Sequence, residues 1–178
     1  RKTEYLARAI DAGFNVLADK PMVIDRAGFE RLQHAFATAA EQGVLLYDIM
    51  TERHEITTML QKAFALIPAV FGQLRSGSVD DPAVTKESVH HFSKLVSGAP
   101  IKRPAWFFDV AQQGEGLVDI TTHLVDLVQW ECFPGQVIDF RDDIEVIGAK
   151  RWATVLTLAQ FQHVTQLADF PPFLRPHV

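Results

Sequence analysis

The hydrophobic positions of the first fifty residues change period three times. Leu6, Ala9 and Ile10 fall at helical spacing, with Thr3 placed to cap the helix and Gly13 to close it. Residues 14–18, Phe14-Asn15-Val16-Leu17-Ala18, read as a short apolar strand. A second helix follows, opened by Asp25, carrying Phe29, Leu32 and Phe36 on its apolar face, and closed by Gly43. Val44-Leu45-Leu46-Tyr47 is a second short strand. Helices and strands alternating at this spacing predict a parallel α/β arrangement, in which ligands sit beyond the carboxyl ends of the strands. Lys20 and Asp48 stand at those two ends.

Residues 51–66 predict a third helix, with Ile56, Met59, Leu60, Ala63 and Phe64 on one side. Arg53 and His54 at its start could face a cleft, but the solvated reading is favoured. Strands are predicted at 70–74, 88–93, 104–110, 137–140 and 144–147, from β-branched and aromatic content between turn residues. The run Pro104-Ala105-Trp106-Phe107-Phe108-Asp109-Val110 is the most aromatic. Thr157-Leu158-Ala159-Gln160 has the capping-box pattern and opens a short helix with Phe161 and Val164 inward.

The stretch from Gly114 to Trp130 carries the densest chemistry. As a helix from about Leu117, it aligns Ile120, Leu124, Leu127 and Val128 as a buried stripe. Asp119, His123 and Asp126 line up on another face. That face has two readings. One is an ordinary solvated helix surface, which spacing alone favours. The other is a set of groups converging on a ligand, where a carboxylate one turn before an imidazole tunes it for proton transfer.

Composition narrows the classes. Of 178 residues, 48% are hydrophobic and 22% charged, the balance of a folded domain rather than a disordered segment. A net charge of −5 without a long basic run argues against a nucleic-acid partner. No apolar run approaches the ~20 residues that span a bilayer, so no membrane partner is expected. Cys132 is the only cysteine, which rules out an internal disulfide and a cysteine-rich zinc site. Adjacent His90 and His91 would project to opposite faces of a strand, so no metal site is expected.

Two motifs together carry a resemblance. Asp19-Lys20-Pro21 ends the first strand, and Asp119-Ile120-Thr121-Thr122-His123 follows a glycine-containing turn. In this order, about a hundred residues apart, they resemble the glucose-fructose oxidoreductase/inositol dehydrogenase (Gfo/Idh/MocA) family, with its Glu-Lys-Pro strand end and later Asp-x-Gly-x-His helix. Asp19 stands in place of the family's glutamate, and Thr121 in place of its glycine.

The resemblance implies an α/β fold: the C-terminal part of a Rossmann-type parallel sheet over 1–49, then an α+β domain with an open, largely antiparallel sheet over 50–178. It implies NAD(P)-dependent oxidation of a secondary alcohol of a sugar or polyol, or the reverse reduction, in a cytoplasmic homo-oligomer, the periplasm remaining open. Lys20, Asp119 and His123 would be catalytic, and Asp19, Lys20 and Pro21 would meet NAD or NADP. Gly-x-Gly-x-x-Gly is absent from these residues. By the resemblance, that turn belongs to a part preceding Arg1, and further sheet strands follow the last residue. A non-catalytic sugar-binding or assembly module of the same fold is the alternative. A hydrolase using Asp119 and His123 ranks below both, for want of a nucleophile elbow.

Overall fold

The computed structural model describes residues 2–89 and 91–178; His90 lies outside the described residues. In chain order the elements are α1 (Lys2–Asp11), β1 (Val16–Asp19), α2 (Arg26–Gln42), β2 (Leu46–Ile49), α3 (Ile56–Ala65), α4 (Pro68–Phe71), β3 (Leu95–Val96), β4 (Ala99–Pro100), α5 (Val110–Gln113), α6 (Thr122–Cys132) and α7 (Leu158–Thr165). Three single 3₁₀ turns, Thr51–His54, Ala105–Phe108 and Arg175–His177, and one π turn, Leu117–Thr121, complete the list. Packing divides the chain into two compact units, one of residues up to Ser88 with Gly114–Gln136, the other of Val89–Gln113 with Val137–Val178.

The first unit is built on a β–α–β element. β1 and β2 pair in parallel, with Val16 opposite Leu46 and Asp19 opposite Ile49. Asp25 caps α2 by accepting from Gly28 N at 2.6 Å, and Gly43 ends it at φ 68°, where a side chain would be strained. Leu6 and Ile10 of α1, Leu32, Ala35 and Ala39 of α2, and Ala18 and Leu46 of the strands form one apolar core. The alanines let α2 lie close to its neighbours, and the stripe Leu32–Ala35–Ala39 follows the i, i+3, i+7 spacing of a buried face. The opposite face of the strand pair is bare: Leu17 and Tyr47, cross-strand partners, are 71% and 57% exposed.

Three expectations change here. Thr3 lies inside α1, which runs from Lys2. The helix expected over 51–66 breaks at Glu55, whose carboxylate accepts from Thr57 N (2.8 Å) and Thr58 N (3.1 Å) and so restarts the helix at Ile56. Residues 70–74 are not a strand, because Pro68 at a helix N-terminus starts a turn instead and Phe71 stacks on Phe64 at 5.9 Å. The two strands expected in the first fifty residues do pair in parallel, as β1 and β2.

The second unit holds α7 and an aromatic cluster. The capping box forms as its spacing predicts: Gln160 N donates to Thr157 Oγ1 (3.2 Å) and Thr157 N to Gln160 Oε1 (2.8 Å). It aims Phe161 and Val164 inward, 1% and 2% exposed. Phe108 meets Phe161 at 5.5 Å and Phe92 at 6.3 Å, both edge-on.

The expected antiparallel sheet reduces, among the described residues, to the two-residue pair β3–β4. Residues 104–110 wind into a 3₁₀ turn and α5, which turns Phe107 and Phe108 onto one another at 5.3 Å rather than alternating them across a sheet. The described residues of 88–93 form no strand, nor do 137–140 and 144–147. Val137 is 96% and Val146 80% exposed. Strand propensity is chiefly a preference for a paired, half-buried surface, and none is offered to them.

Candidate functional site

The candidate site belongs to the first unit, where the end of β1 meets the π turn and α6. The backbone that leaves β1 is gathered by one ammonium: Lys2 Nζ donates to the carbonyls of Asp19 (2.9 Å), Lys20 (3.4 Å) and Pro21 (3.0 Å). Burial pushes the Lys2 pKa down, opposed by the Asp19 carboxylate. The Lys20–Pro21 peptide is cis. Asp19 stays exposed, its Oδ1 accepting from Lys20 N at 2.9 Å.

Lys20 Nζ donates to both Asp119 Oδ1 (2.7 Å) and the Asp119 main-chain carbonyl (2.8 Å). An i→i+5 π turn changes which carbonyls the helix itself uses, and such turns recur at functional sites. The close approach depends on Gly114, at φ 87°. A Cβ there would stand 2.8 Å from Ile24 Cγ2, on the segment following Pro21, and 2.5 Å from Val118 Cγ2.

Asp119 and Asp126, expected on a solvated face, are 7% and 9% exposed. The solvated reading of this face is therefore wrong. Leu127 of the apolar stripe is also buried, with Ile120, Leu124 and Val128 half-buried, so the helix is covered on two faces. Arg53, too, is not the solvated residue its sequence position suggests. Its Nε donates to Asp126 Oδ2 at 2.8 Å and its Nη2 to Asp126 Oδ1, a two-point fork. That hydrogen bond raises the Arg53 pKa above its ordinary value, with Asp48 adding to the effect.

One further carboxylate of α6 is buried. Glu131 accepts from Lys86 Nζ (2.8 Å) and Gln61 Nε2 (3.0 Å). Three acidic groups of one helical run thus meet cations from three separate segments. Buried ion pairs add little net stability, because desolvation offsets attraction, but removing one member leaves an uncompensated charge. Such pairs fix geometry more than they add stability.

His123 lies one turn past Asp119 and one before Asp126. Its Nδ1 is buried and has no hydrogen-bond partner among the described residues. The Asp119 carboxylate is paired with Lys20. Lys20 and Asp119 are brought together directly, His123 stands on the same helical run, and Pro21 is half-buried beside Lys20. Sequence reasoning set Arg53 aside and did not single out Lys86 or Glu131. The only signal was the i, i+7 repeat of Asp119 and Asp126; the cations they meet lie too far away in sequence to show any spacing. Among the described residues no group of three or more His, Cys, Asp or Glu side chains could hold a metal ion.

Residues 60–178 match the family described as "Putative oxidoreductase C terminal domain". The chain belongs to this oxidoreductase family. The match includes Asp119, His123 and Asp126 but not Lys20 or Arg53. One solved structure, titled as a "putative oxidoreductase" of Parabacteroides merdae ATCC 43184, is 55% identical, with a TM-score of 0.90, over 99% of this chain and 40% of that one. The dTDP-3,4-didehydro-2,6-dideoxy-alpha-D-glucose 3-reductase of Actinomadura kijaniata is 41% identical over 73 residues, 41% of this chain and 21% of the reductase. The chain therefore spans well under half the length of both. Among the described residues, no helix is long and apolar enough to cross a membrane.

Proposed function

We propose that this chain is part of a Gfo/Idh/MocA-type NAD(P)-dependent oxidoreductase acting on a secondary alcohol of a sugar or polyol, or on the corresponding ketone in reverse. In this reading residues 1–49 close the cofactor-binding domain and 50–178 belong to the substrate domain. The observation that carries it is the seating of Lys20 Nζ on the Asp119 carboxylate and main-chain carbonyl, one helical turn before an imidazole whose buried Nδ1 has no partner among the described residues. The name of the Actinomadura reductase supports a sugar substrate. Assembly as a homo-oligomer rests on the resemblance to the family.

The residues suit the chemistry. Oxidising a carbinol removes a hydride from carbon and a proton from oxygen. His123 accepts the hydroxyl proton, the role an imidazole fills near neutral pH. Among the described residues Lys20 uses two of its three N–H donors on Asp119, leaving the third for the reacting oxygen. There it stabilises the charge that develops as the proton leaves. The Asp119 carboxylate and carbonyl keep the ammonium aimed. NAD or NADP, when bound, takes up the hydride. Asp19, Lys20 and Pro21, at the carboxyl end of β1, fit the nicotinamide end of such a cofactor, the position ligands take in parallel α/β units.

The test is His123→Asn in the full-length protein. Turnover should fall roughly 100-fold, the scale of a lost general base, with cofactor affinity little changed. Unchanged turnover would remove His123 from the mechanism. A wild-type protein that binds sugars but passes no hydride to either cofactor would instead establish the non-catalytic sugar-binding module.

A further inference from the structure

We propose that Arg53 and Asp126 form a positioning pair that holds His123 at the angle its chemistry needs; the inference rests on the role just given to His123. His123 is bracketed along the helical run. Four residues before it, Asp119 is tethered to Lys20, the residue that follows β1. Three residues after it, Asp126 is tethered to Arg53, in the turn that follows β2. The two strands are parallel neighbours, so both tethers come from the same carboxyl edge. They fix the helix against that edge at two points two turns apart.

The bracket matters because the helix alone does not fix the angle. The turn from Leu117 to Thr121 is wound as π, and the winding changes to α at Thr122, immediately before His123. A shift of that boundary would turn every side chain beyond it relative to the residues before it, because π and α winding advance by different angles per residue. Among the described residues His123 has no hydrogen-bond partner at Nδ1 to hold its own ring, so its orientation is inherited from the helix. Asp126 is the group best placed to lock it. Its carboxylate is 9% exposed, and both oxygens are taken by one guanidinium fork, a planar contact that a rotated helix could not keep. A stability role accounts less well for the pair, since well-packed apolar residues would serve as well or better.

Three variants of the full-length protein test the proposal: Arg53→Lys, which keeps the charge but loses the fork, Asp126→Asn, and Glu131→Gln. The last removes another buried acid of the same helix, beyond the bracket. Two readouts are followed, steady-state kinetics and the His123 ring resonance by NMR, assigned through His123→Asn. Arg53→Lys should lower kcat about tenfold with KM within about twofold, as expected when a reacting group is misplaced. It should also shift or split the His123 resonance, and Glu131→Gln should do neither. Should Asp126→Asn fail to fold, Arg53→Lys still decides. A single, unmoved ring resonance in Arg53→Lys would overturn the proposal, as would an equal disturbance in Glu131→Gln. The resonance is read without substrate, so it stands even if the protein turns out not to transfer hydride, and the two failures remain distinct.

Discussion

Cys132 shows how neighbours set the chemistry of one residue. Burial pushes its thiol pKa up, Glu131 beside it pushes further, and Lys86 pulls back only in part. The folded chain therefore binds this proton more tightly than the unfolded chain. That contribution to stability is fully present below the unfolded-state pKa and is lost as pH rises through the folded-state one. The thiolate being the nucleophile, iodoacetamide at mildly alkaline pH should modify Cys132 several-fold more slowly in the native chain than in urea. Equal rates would show that the thiol is neither buried nor held protonated.

Between the segment after Pro21 and the π turn, a glycine permits the close approach. Gly114 combines φ 87° with a Cβ position already occupied by Val118 and Ile24. Gly114→Ala meets both obstacles, a strained backbone and an overpacked neighbour, each costing on the order of 1–2 kcal/mol. Thermal unfolding of the variant should begin several degrees lower, about 5 °C for a chain of this size. Because the displaced contact is the one that brings the segment after Pro21 to the π turn, the Lys20–Asp119 seat should loosen with it. An unchanged Tm would mean that the two segments do not meet as closely as Gly114 implies. Gly116, with open space around its Cβ position, is the natural control, and its alanine variant should be milder.

The 178 residues as a whole leave a large apolar surface uncovered. Leu17 and Tyr47 project from the bare face of the parallel pair, and Phe14 and Leu45 beside them are 65% and 55% exposed. Contiguous apolar surface of this kind, with the open edges of a two-stranded sheet, drives association. The isolated chain should therefore self-associate, with a sedimentation coefficient that rises with concentration. It should also fail to bind NAD or NADP in calorimetric titration, because pyrophosphate is held mainly by a glycine-rich turn these residues do not contain. A monodisperse monomer would contradict the first expectation, and saturable micromolar binding the second.

What the sequence determined by itself was whatever is satisfied within a few residues. Asp25 capping α2, Gly43 ending it, the Thr157–Gln160 box and the placing of Lys20 just past a strand are all settled by groups one turn apart. The pairing of Lys20 with Asp119 came within reach only because two motifs resembled one family. Tertiary structure decided the rest. Residues 104–110 have every strand propensity, yet a strand requires a partner edge, and the aromatic rings found each other instead. Asp126 looks the same in sequence whether it faces water or a guanidinium. Arg53, 73 residues away, made it a buried pair, and no local pattern encodes a contact across that separation.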